Sequence, residues 1–220
     1  MLLPRRCPLC LRPGPAPCDR CAAGVPRAVP APAPPGCDDA LALFAYAGEG
    51  RRLITSLKFG NHRDGVPRLG AALAATVPGR PDVVTWVPTT AHRRRERGFD
   101  HAEVLARAVA RRLGCPARRL LRRCDEGHQT GRNRAERRVG PSLAPRHRCP
   151  STVLVVDDVW TTGSSLSAAA DALRSVGAQI VLARTLAMTP PPATVGREES
   201  IAESAGPGSP PYGGQACRLG

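Results

Sequence analysis

Residues 153–165 read VLVVDDVWTTGSS and say more about the fold than any other part of the 220-residue chain. The apolar run from Val153 to Val156 predicts a strand buried on both faces, which should end at the carboxylates Asp157 and Asp158. Small hydroxyl-bearing residues follow. Apolar residues then recur at helical spacing up to Gly177, at Leu166, Ala169, Ala170, Leu173 and Val176. The segment therefore predicts a strand, an acidic pair, a hydroxyl-rich loop and a helix.

This order of residue types suits a phosphorylated sugar. A loop that opens a helix presents backbone N–H groups to an anion, and the helix dipole attracts the same anion. Gly163 lets the backbone approach a phosphate closely. Further hydrogen-bond donors come from the hydroxyls of Thr161, Thr162, Ser164 and Ser165. The acidic pair can accept hydrogen bonds from a vicinal diol, so the pattern favours ribose 5-phosphate. The alternative is a buried strand followed by a helix that Ser164 or Ser165 merely caps.

Several stretches together resemble known proteins. Residues 153–165 resemble the phosphoribosyl pyrophosphate (PRPP) signature of type I phosphoribosyltransferases. The chain also resembles the ComF family, which is linked to bacterial DNA uptake, in Arg52-Leu53-Ile54, Leu57-Lys58-Phe59, Arg93-Arg94, Arg97-Gly98-Phe99 and the paired Cys-x-x-Cys motifs. The resemblance covers about residues 5–187. It implies a type I phosphoribosyltransferase fold, which is an α/β fold with a parallel sheet flanked by helices, and an enzyme that transfers phosphoribosyl from PRPP.

The same resemblance assigns roles to further residues. Asp157 and Asp158 are the candidate catalytic pair, and residues 161–165 are the candidate 5-phosphate loop. The turn after the strand that begins at Val83 is expected to hold pyrophosphate, through Thr89, Thr90, Arg93, Arg94 and Arg97. Lys58 is a second candidate for pyrophosphate, with an ordinary lysine at a helix end as the alternative. Mg²⁺ is expected to enter with PRPP, since it takes most of its ligands from phosphates and water.

The resemblance to the ComF family also includes a flexible loop, but the chain differs from the family pattern at two places. Residues 122–138 resemble the loop that folds over PRPP and brings Gln129 and Arg137 to it. Relatives tend to have Asn-Gln after Arg-Gly-Phe, whereas this chain has Asp100-His101. Relatives also tend to place an asparagine shortly after the loop arginine, where this chain has Gly140. The departures bear on the acceptor, which the sequence does not identify.

Four of the nine cysteines form the pattern Cys7-x2-Cys10-x7-Cys18-x2-Cys21. Two such knuckles can place four thiolates tetrahedrally around Zn²⁺, which would order a segment too short to fold alone. The alternatives are two local disulfides or a redox motif. No secretory signal and no apolar run approaching about 18 residues is visible, so a cytoplasmic protein without membrane insertion is expected. Zinc is therefore favoured over disulfides.

The formal net charge is +14, and 31 of the 32 basic residues are arginines. Between His92 and Arg148, 17 arginines stand against six acidic residues. This stretch can serve pyrophosphate, nucleic acid or both, although a GC-rich genome would produce the same bias without a function. Aromatic residues make up only 3% of the chain, which disfavours a stacking platform for single strands. We expect weak, non-specific binding of single-stranded DNA through Arg111, Arg112, Arg118 and Arg119.

The chain divides into four parts by composition: a zinc ribbon (1–24), a Pro/Ala-rich linker (25–37), a phosphoribosyltransferase domain (38–188) and a disordered tail (189–220). Within the domain, strands are expected at 40–46, 83–87, 117–121, 153–156 and 179–186. Helices are expected at 49–58, 66–77, 101–113 and 166–176, and a loop at 124–148. Alternation of strands and helices predicts a parallel sheet covered on both faces.

Three functions remain open at this point. The first is an enzyme that transfers phosphoribosyl from PRPP to an acceptor. The second is a non-catalytic PRPP-sensing or DNA-binding accessory of the competence machinery, which the charge and the family favour. The third is a nucleobase salvage enzyme, which the zinc ribbon disfavours.

Overall fold

The computed structural model describes residues 6–59, 63–124 and 140–190. The helices are α1 (Asp19–Ala23), α2 (Gly48–Phe59), α3 (Val66–Ala74), α4 (Ala91–Arg97), α5 (His101–Leu113) and α6 (Ser164–Arg174). The strands are β1 (Asp39–Ala45), β2 (Val83–Trp86), β3 (Leu121–Arg123), β4 (Leu143–Pro145), β5 (Thr152–Trp160) and β6 (Ile180–Met188). Gln129, Arg137 and residues 191–220 of the expected tail lie outside the described residues.

Four strands form one sheet in the order β1-β6-β5-β2, and every neighbouring pair is parallel. β3 and β4 form a separate antiparallel pair. Residues 116–118 cover the outer edge of β2, because the N–H of Val84 bonds to the carbonyl of Pro116 and the N–H of Arg118 bonds to that of Val84. The predicted α/β fold with a parallel sheet flanked by helices is confirmed.

The central strand β5 is buried on both faces, as its apolar run predicted. Leu154 and Val156 pack into a core shared with α2, α3 and α5, whereas Val153 and Val155 pack into a second core shared with α6. All four side chains are fully buried. Alternate side chains of a strand point to opposite faces, so β5 contributes side chains to the core on each side of the sheet.

The strand β5 is longer than the sequence predicted. It continues through the acidic pair to Trp160, because its register with β6 continues from Val156 opposite Arg184 to Trp160 opposite Met188. The partner on the other side ends earlier, since Trp86 of β2 lies opposite Val156. The acidic pair therefore extends beyond β2, and one side of it faces a cleft rather than a strand.

Four other element predictions need correction. The expected loop after β2 contains the helix α4, which begins at a Thr90 cap that accepts the N–H of Arg93 and ends at left-handed Gly98. The strand expected at 117–121 is instead β3, at Leu121–Arg123. Within the expected loop 124–148, residues 143–145 form β4. The helix α3 ends at Ala74 rather than at residue 77.

The Pro/Ala-rich segment lies against the sheet edge. The N–H of Ala28 bonds to the carbonyl of Leu43, and the N–H of Ala45 bonds to that of Pro26. These two bonds continue the sheet beyond β1 at its carboxyl end. Among the described residues, no helix combines the length and the apolar character needed to cross a bilayer.

Candidate functional site

A cleft of about 380 Å³ opens at the carboxyl ends of β5 and β2. Its lining includes carboxylates, hydroxyls and cations, contributed by Asp100, Asp157, Asp158, Thr89, Thr161, Ser165, Lys58, Arg93 and Arg123. In open parallel sheets, ligands bind outside the carboxyl ends of the strands. The cleft therefore brings together residues of the acidic pair, the hydroxyl loop and the turn expected to hold pyrophosphate.

The acidic pair is half-buried at the floor of this cleft. Oδ1 of Asp157 accepts the N–H of Asp158 at 2.8 Å. Burial raises the pKa of Asp157 well above its usual range, and the neighbouring charge of Asp158 adds to the increase, whereas the Asp158 N–H and Lys58 oppose it. Both side chains line the cleft, where their carboxyl oxygens can face a ligand.

The hydroxyl loop forms a tight turn before α6. Gly163 has φ +82° and is the N-cap of the helix. The hydroxyls of Thr162 and Ser164 lie 2.9 Å apart, and Oγ1 of Thr162 also accepts the N–H of Ser164. Thr161 and Ser165 line the cleft. The turn thus places the positive end of α6 and its hydroxyls at the cleft, which is suitable for an anion.

The turn after β2 is fixed by a buried carboxylate, Asp100, which is only 6% exposed. Its Oδ2 accepts the N–H of Thr89 at 3.0 Å, and its Oδ1 accepts the N–H groups of Ala102 and Glu103 as the N-cap of α5. Burial raises the pKa of Asp100, although the three N–H groups oppose this. Arg93 lines the cleft one turn into α4, Arg94 is exposed, and Arg97 ends that helix.

Lys58, at the end of α2, lies against the acidic pair. Its Nζ is 2.8 Å from Oδ2 of Asp158, and the two side chains are only 19% and 21% exposed. The preceding residue, Leu57, accepts a hydrogen bond of 2.7 Å from Nε2 of His101, the first residue of α5. The start of α5 therefore fixes both the turn after β2, through Asp100, and the last turn of α2, through His101.

Arg123 and Tyr46 also line the cleft, although no sequence pattern marked either of them as a site residue. Arg123 ends β3, and its Nη1 donates to the carbonyl of Pro88 at 3.3 Å, which ties β3 to the turn that carries Thr89. No local pattern distinguished Arg123 from the adjacent Arg122, which is exposed and donates to Cys124 Sγ. Side chains alternate between the two faces of a strand, and this alternation could have separated Arg122 from Arg123. However, β3 has only three residues, which is too short for the pattern to be recognised in the sequence.

Gly140, which lies near the position where relatives tend to have an asparagine, has a packing reason to be glycine. A Cβ at this position would lie 2.6 Å from the carbonyl oxygen of Ser164. The backbone at residue 140 therefore passes too close to the start of α6 for any side chain, and only glycine fits without a shift.

The four N-terminal cysteines form the one group of potential metal ligands in the described part of the chain. Their Sγ atoms all lie within 4.8 Å of one another, and those of Cys10 and Cys18 are 3.8 Å apart. Four thiolates at about 2.3 Å from a tetrahedral Zn²⁺ would be about 3.8 Å apart, so the donor set fits zinc. Burial opposes ionisation of Cys7, but N–H groups of Cys10, Cys18 and Leu9 outweigh it and lower its pKa to about 6.

The cysteine cluster packs on the same helices as the cleft. Cys7 and Leu9 are buried in the core formed by α2, α3 and α5. Arg52 of α2 donates to the carbonyl of Leu9 at 3.3 Å, and Arg68 of α3 pairs with Asp19. The eight cysteines in the described ranges are free thiols.

Residues 100–200 match the phosphoribosyl transferase domain family. No curated protein matches the chain at a significant level. Similar solved structures include one described as the allosteric regulatory enzyme of purine biosynthesis, with 22% identity over 60% of this chain and 30% of that one, and a TM-score of 0.43. The glutamine PRPP amidotransferase of B. subtilis, complexed with ADP and GMP, has 22% identity over 60% of this chain and 30% of that one, and a TM-score of 0.42. The orotate phosphoribosyltransferase of Aeropyrum pernix has 25% identity over 63% of this chain and 64% of that one, and a TM-score of 0.36.

The chain spans 30% of the length of the first two of these structures. The matched family segment begins at Asp100 and includes the acidic pair and the hydroxyl loop, whereas Lys58, the turn after β2 and the four clustered cysteines precede it. The family match therefore falls on the part of the chain that contains the sequence signature at residues 153–165.

Proposed function

We propose that this protein binds PRPP and transfers its 5-phosphoribosyl group to an acceptor, with release of pyrophosphate. The observation that carries the proposal is one cleft that combines the carboxylates of Asp157 and Asp158, the hydroxyls of Thr161 and Ser165, and the guanidinium of Arg93. A phosphorylated ribose with a pyrophosphate at C1 needs these three kinds of partner. The domain family matched by residues 100–200 is consistent with it.

Each part of PRPP has a proposed set of partners. The 5-phosphate binds at the start of α6 to residues 161–165, where free N–H groups and the helix dipole favour an anion. The ribose diol binds to Asp157 and Asp158. Pyrophosphate binds to Thr89, Arg93 and Arg97. We add Arg123 to this set because its side chain lines the same cleft. Gln129 and Arg137 would cover the ligand, by the family resemblance.

The reaction breaks the bond from C1 to pyrophosphate, which leaves with the electron pair, while a nucleophilic atom of the acceptor bonds to C1. Charge grows on the leaving group as the bond breaks, so preorganised guanidinium groups lower the barrier. Mg²⁺ bound to PRPP would neutralise part of the same charge. The described residues offer Mg²⁺ no cluster of their own, because the single metal-ligand group among them is the cysteine set, so the metal would enter with the ligand.

Calorimetry with PRPP and Mg²⁺ tests the proposal. Asp157→Asn and Asp158→Asn should each weaken PRPP binding by about 1.5–3 kcal/mol, since each removes a charge-assisted acceptor. A screen for pyrophosphate release with nucleobases and single-stranded DNA then identifies the acceptor. A double variant that binds PRPP as tightly as the parent contradicts the ribose assignment, and binding without release under any condition favours the PRPP-sensing accessory.

We infer further that the protein is of the ComF type, with one structural Zn²⁺ held by Cys7, Cys10, Cys18 and Cys21. The support is the combination of a cysteine cluster whose Sγ atoms lie within 4.8 Å with a matched phosphoribosyl transferase domain. A role in DNA uptake follows from that resemblance alone. Loss of transformation in a strain lacking this protein, restored by the intact chain, is the corresponding test.

Weak binding of single-stranded DNA is a second candidate function, because Arg111, Arg112, Arg118 and Arg119 are all exposed. They lie at the end of α5 and in the segment beside β2, away from the lining of the cleft. Neutralising all four should weaken DNA binding equally for every sequence and flatten its salt dependence by about 0.7 in log–log slope per lost contact. Fluorescence anisotropy would measure DNA affinity across salt concentrations, and an unchanged salt dependence in the quadruple variant would contradict DNA binding by these arginines. PRPP affinity is the control and should not change.

A further inference from the structure

The lysine of the chain, Lys58, is part of a shielded ion pair with Asp158 in the cleft. The two charged atoms lie 2.8 Å apart, and about four-fifths of each side chain is buried, from exposures of 19% and 21%. An ion pair so far removed from water interacts more strongly than an exposed one. The resemblance assigned Lys58 to pyrophosphate, but its contact is with the acidic pair.

The position of Lys58 is fixed by the fold rather than by the ion pair alone. The carbonyl of Leu57 belongs to the last turn of α2, where carbonyls lack a partner within the helix. His101 supplies that partner at 2.7 Å, and Leu57 itself is buried. The end of α2 is therefore held against the start of α5, and Lys58 extends from this fixed point to β5.

The charges in the cleft give this arrangement a consequence for binding. Asp100, Asp157 and Asp158 all line the cleft, and three carboxylates would repel a ligand as negative as PRPP. Only the Asp158 carboxylate among these three has a lysine within hydrogen-bond distance. A carboxylate has two acceptor oxygens, so Lys58 can hold Oδ2 of Asp158 while Oδ1 accepts a hydroxyl.

We propose that Lys58 is a positioning residue of the ribose subsite, which orients the Asp158 carboxylate and offsets its charge so that the acidic pair can bind a vicinal diol. This inference rests on the proposed function and moves Lys58 from the pyrophosphate subsite to the ribose subsite. The ligand class is the diol of a phosphorylated ribose, with or without pyrophosphate at C1.

Three ligands separate the two assignments. Ribose 5-phosphate contains the diol and the 5-phosphate but no diphosphate, pyrophosphate contains the diphosphate alone, and PRPP contains all three groups. Calorimetry would compare the parent protein with Lys58→Met, Lys58→Arg and the control Arg51→Met. Arg51 lies on the exposed face of the same helix, so its substitution removes one positive charge without touching the cleft. Thermal unfolding of each variant would verify that it is folded. If Lys58→Met does not fold, Lys58→Gln takes its place in the comparison.

We expect Lys58→Met to weaken ribose 5-phosphate and PRPP by about 10-fold or more, as the loss of a charged hydrogen bond implies, while pyrophosphate binding stays within about twofold. Lys58→Arg should restore most of the loss, and Arg51→Met should leave all three affinities unchanged. In an Asp158→Asn background the effect of Lys58→Met should largely disappear, because the two residues act through one contact.

Three results would overturn this assignment while PRPP still binds to the parent protein. A Lys58→Met variant that loses affinity for pyrophosphate and PRPP but keeps ribose 5-phosphate returns Lys58 to the pyrophosphate subsite. If Lys58→Met has the same ligand affinities as Arg51→Met, Lys58 has no role in the ribose subsite. If Lys58→Met lowers the affinities equally with and without Asp158→Asn, Lys58 does not act through Asp158. If the parent protein binds none of the three ligands, the proposed function is wrong and this inference is wrong with it.

Discussion

Gly163→Ala is the substitution for which the structure allows the most detailed prediction. The backbone at Gly163 has φ +82°, where a Cβ is disfavoured by about 1–2 kcal/mol. The new Cβ would also lie 3.0 Å from Cγ of Pro34 and 3.1 Å from Nε1 of Trp160. Crowding in a packed site adds about 1–3 kcal/mol. We therefore expect Gly163→Ala to lower the free energy of unfolding by about 2–5 kcal/mol in total.

Gly79→Ala is the matched control. Gly79 has φ +69°, and a Cβ there would meet nothing within 4 Å, so its substitution reports the backbone term alone. Urea unfolding followed by tryptophan fluorescence would give both values, and the difference between them is the crowding term. PRPP affinity should fall in Gly163→Ala and stay unchanged in Gly79→Ala. If both variants lose the same stability, and PRPP binds both equally, the tight packing of the hydroxyl loop against Pro34 and Trp160 is refuted.

Three further predictions concern the metal, the pyrophosphate subsite and pH. Cys18→Ser should lower the zinc content from about one ion per chain, as measured by metal analysis of protein purified without chelator, while residues 38–188 stay folded; a chain purified without zinc would contradict this. Arg123→Gln should weaken pyrophosphate binding by about 10-fold, and Arg122→Gln, on the next residue of β3, should not; equal effects would remove Arg123 from the site. The raised pKa of Asp157 means that the native state binds its proton more tightly than the unfolded chain, so this group destabilises the fold progressively as the pH rises through the interval between the two pKa values. Asp157→Asn should therefore gain stability relative to the parent as the pH rises above about 4, the usual pKa of an aspartate, and a difference in the free energy of unfolding that does not change with pH would contradict the pKa direction.

The elements that the sequence predicted well are those with strong local signals. The helix α5 begins and ends as expected because Asp100 caps its first turn and left-handed Gly114 ends it. The apolar run of β5 predicted burial on both faces because a strand covered on both sides hides all four consecutive apolar side chains. In contrast, α4 has the sequence AHRRRER, which contains no amphipathic pattern, so its helix depends on the caps at Thr90 and Gly98.

What the sequence did not predict depends on contacts between distant residues. Arg184, in the middle of β6, is 1% exposed, and it bonds to Asp39 at 2.5 Å and to the carbonyl of Thr76 at 2.8 Å. An arginine within an apolar strand gives no local sign of partners more than a hundred residues away. The pairing of Lys58 with Asp158 and the contact of Arg123 with Pro88 have the same character, since each joins segments that only the fold brings together.

The start of α5 gives a physical reason for the departure from the family's Asn-Gln pattern. Asp100 accepts three N–H groups through two oxygens, and one of them is the N–H of Thr89 in the turn after β2. An asparagine could cap the helix with its carbonyl oxygen, but its amide group would face the Thr89 N–H as a second donor. His101 likewise donates to Leu57 and so fixes the turn from which Lys58 reaches Asp158. The pair Asp100-His101 thus connects the turn after β2 to the end of α2, so its departure from the Asn-Gln pattern of the ComF family has a structural reason in the contacts of these two side chains.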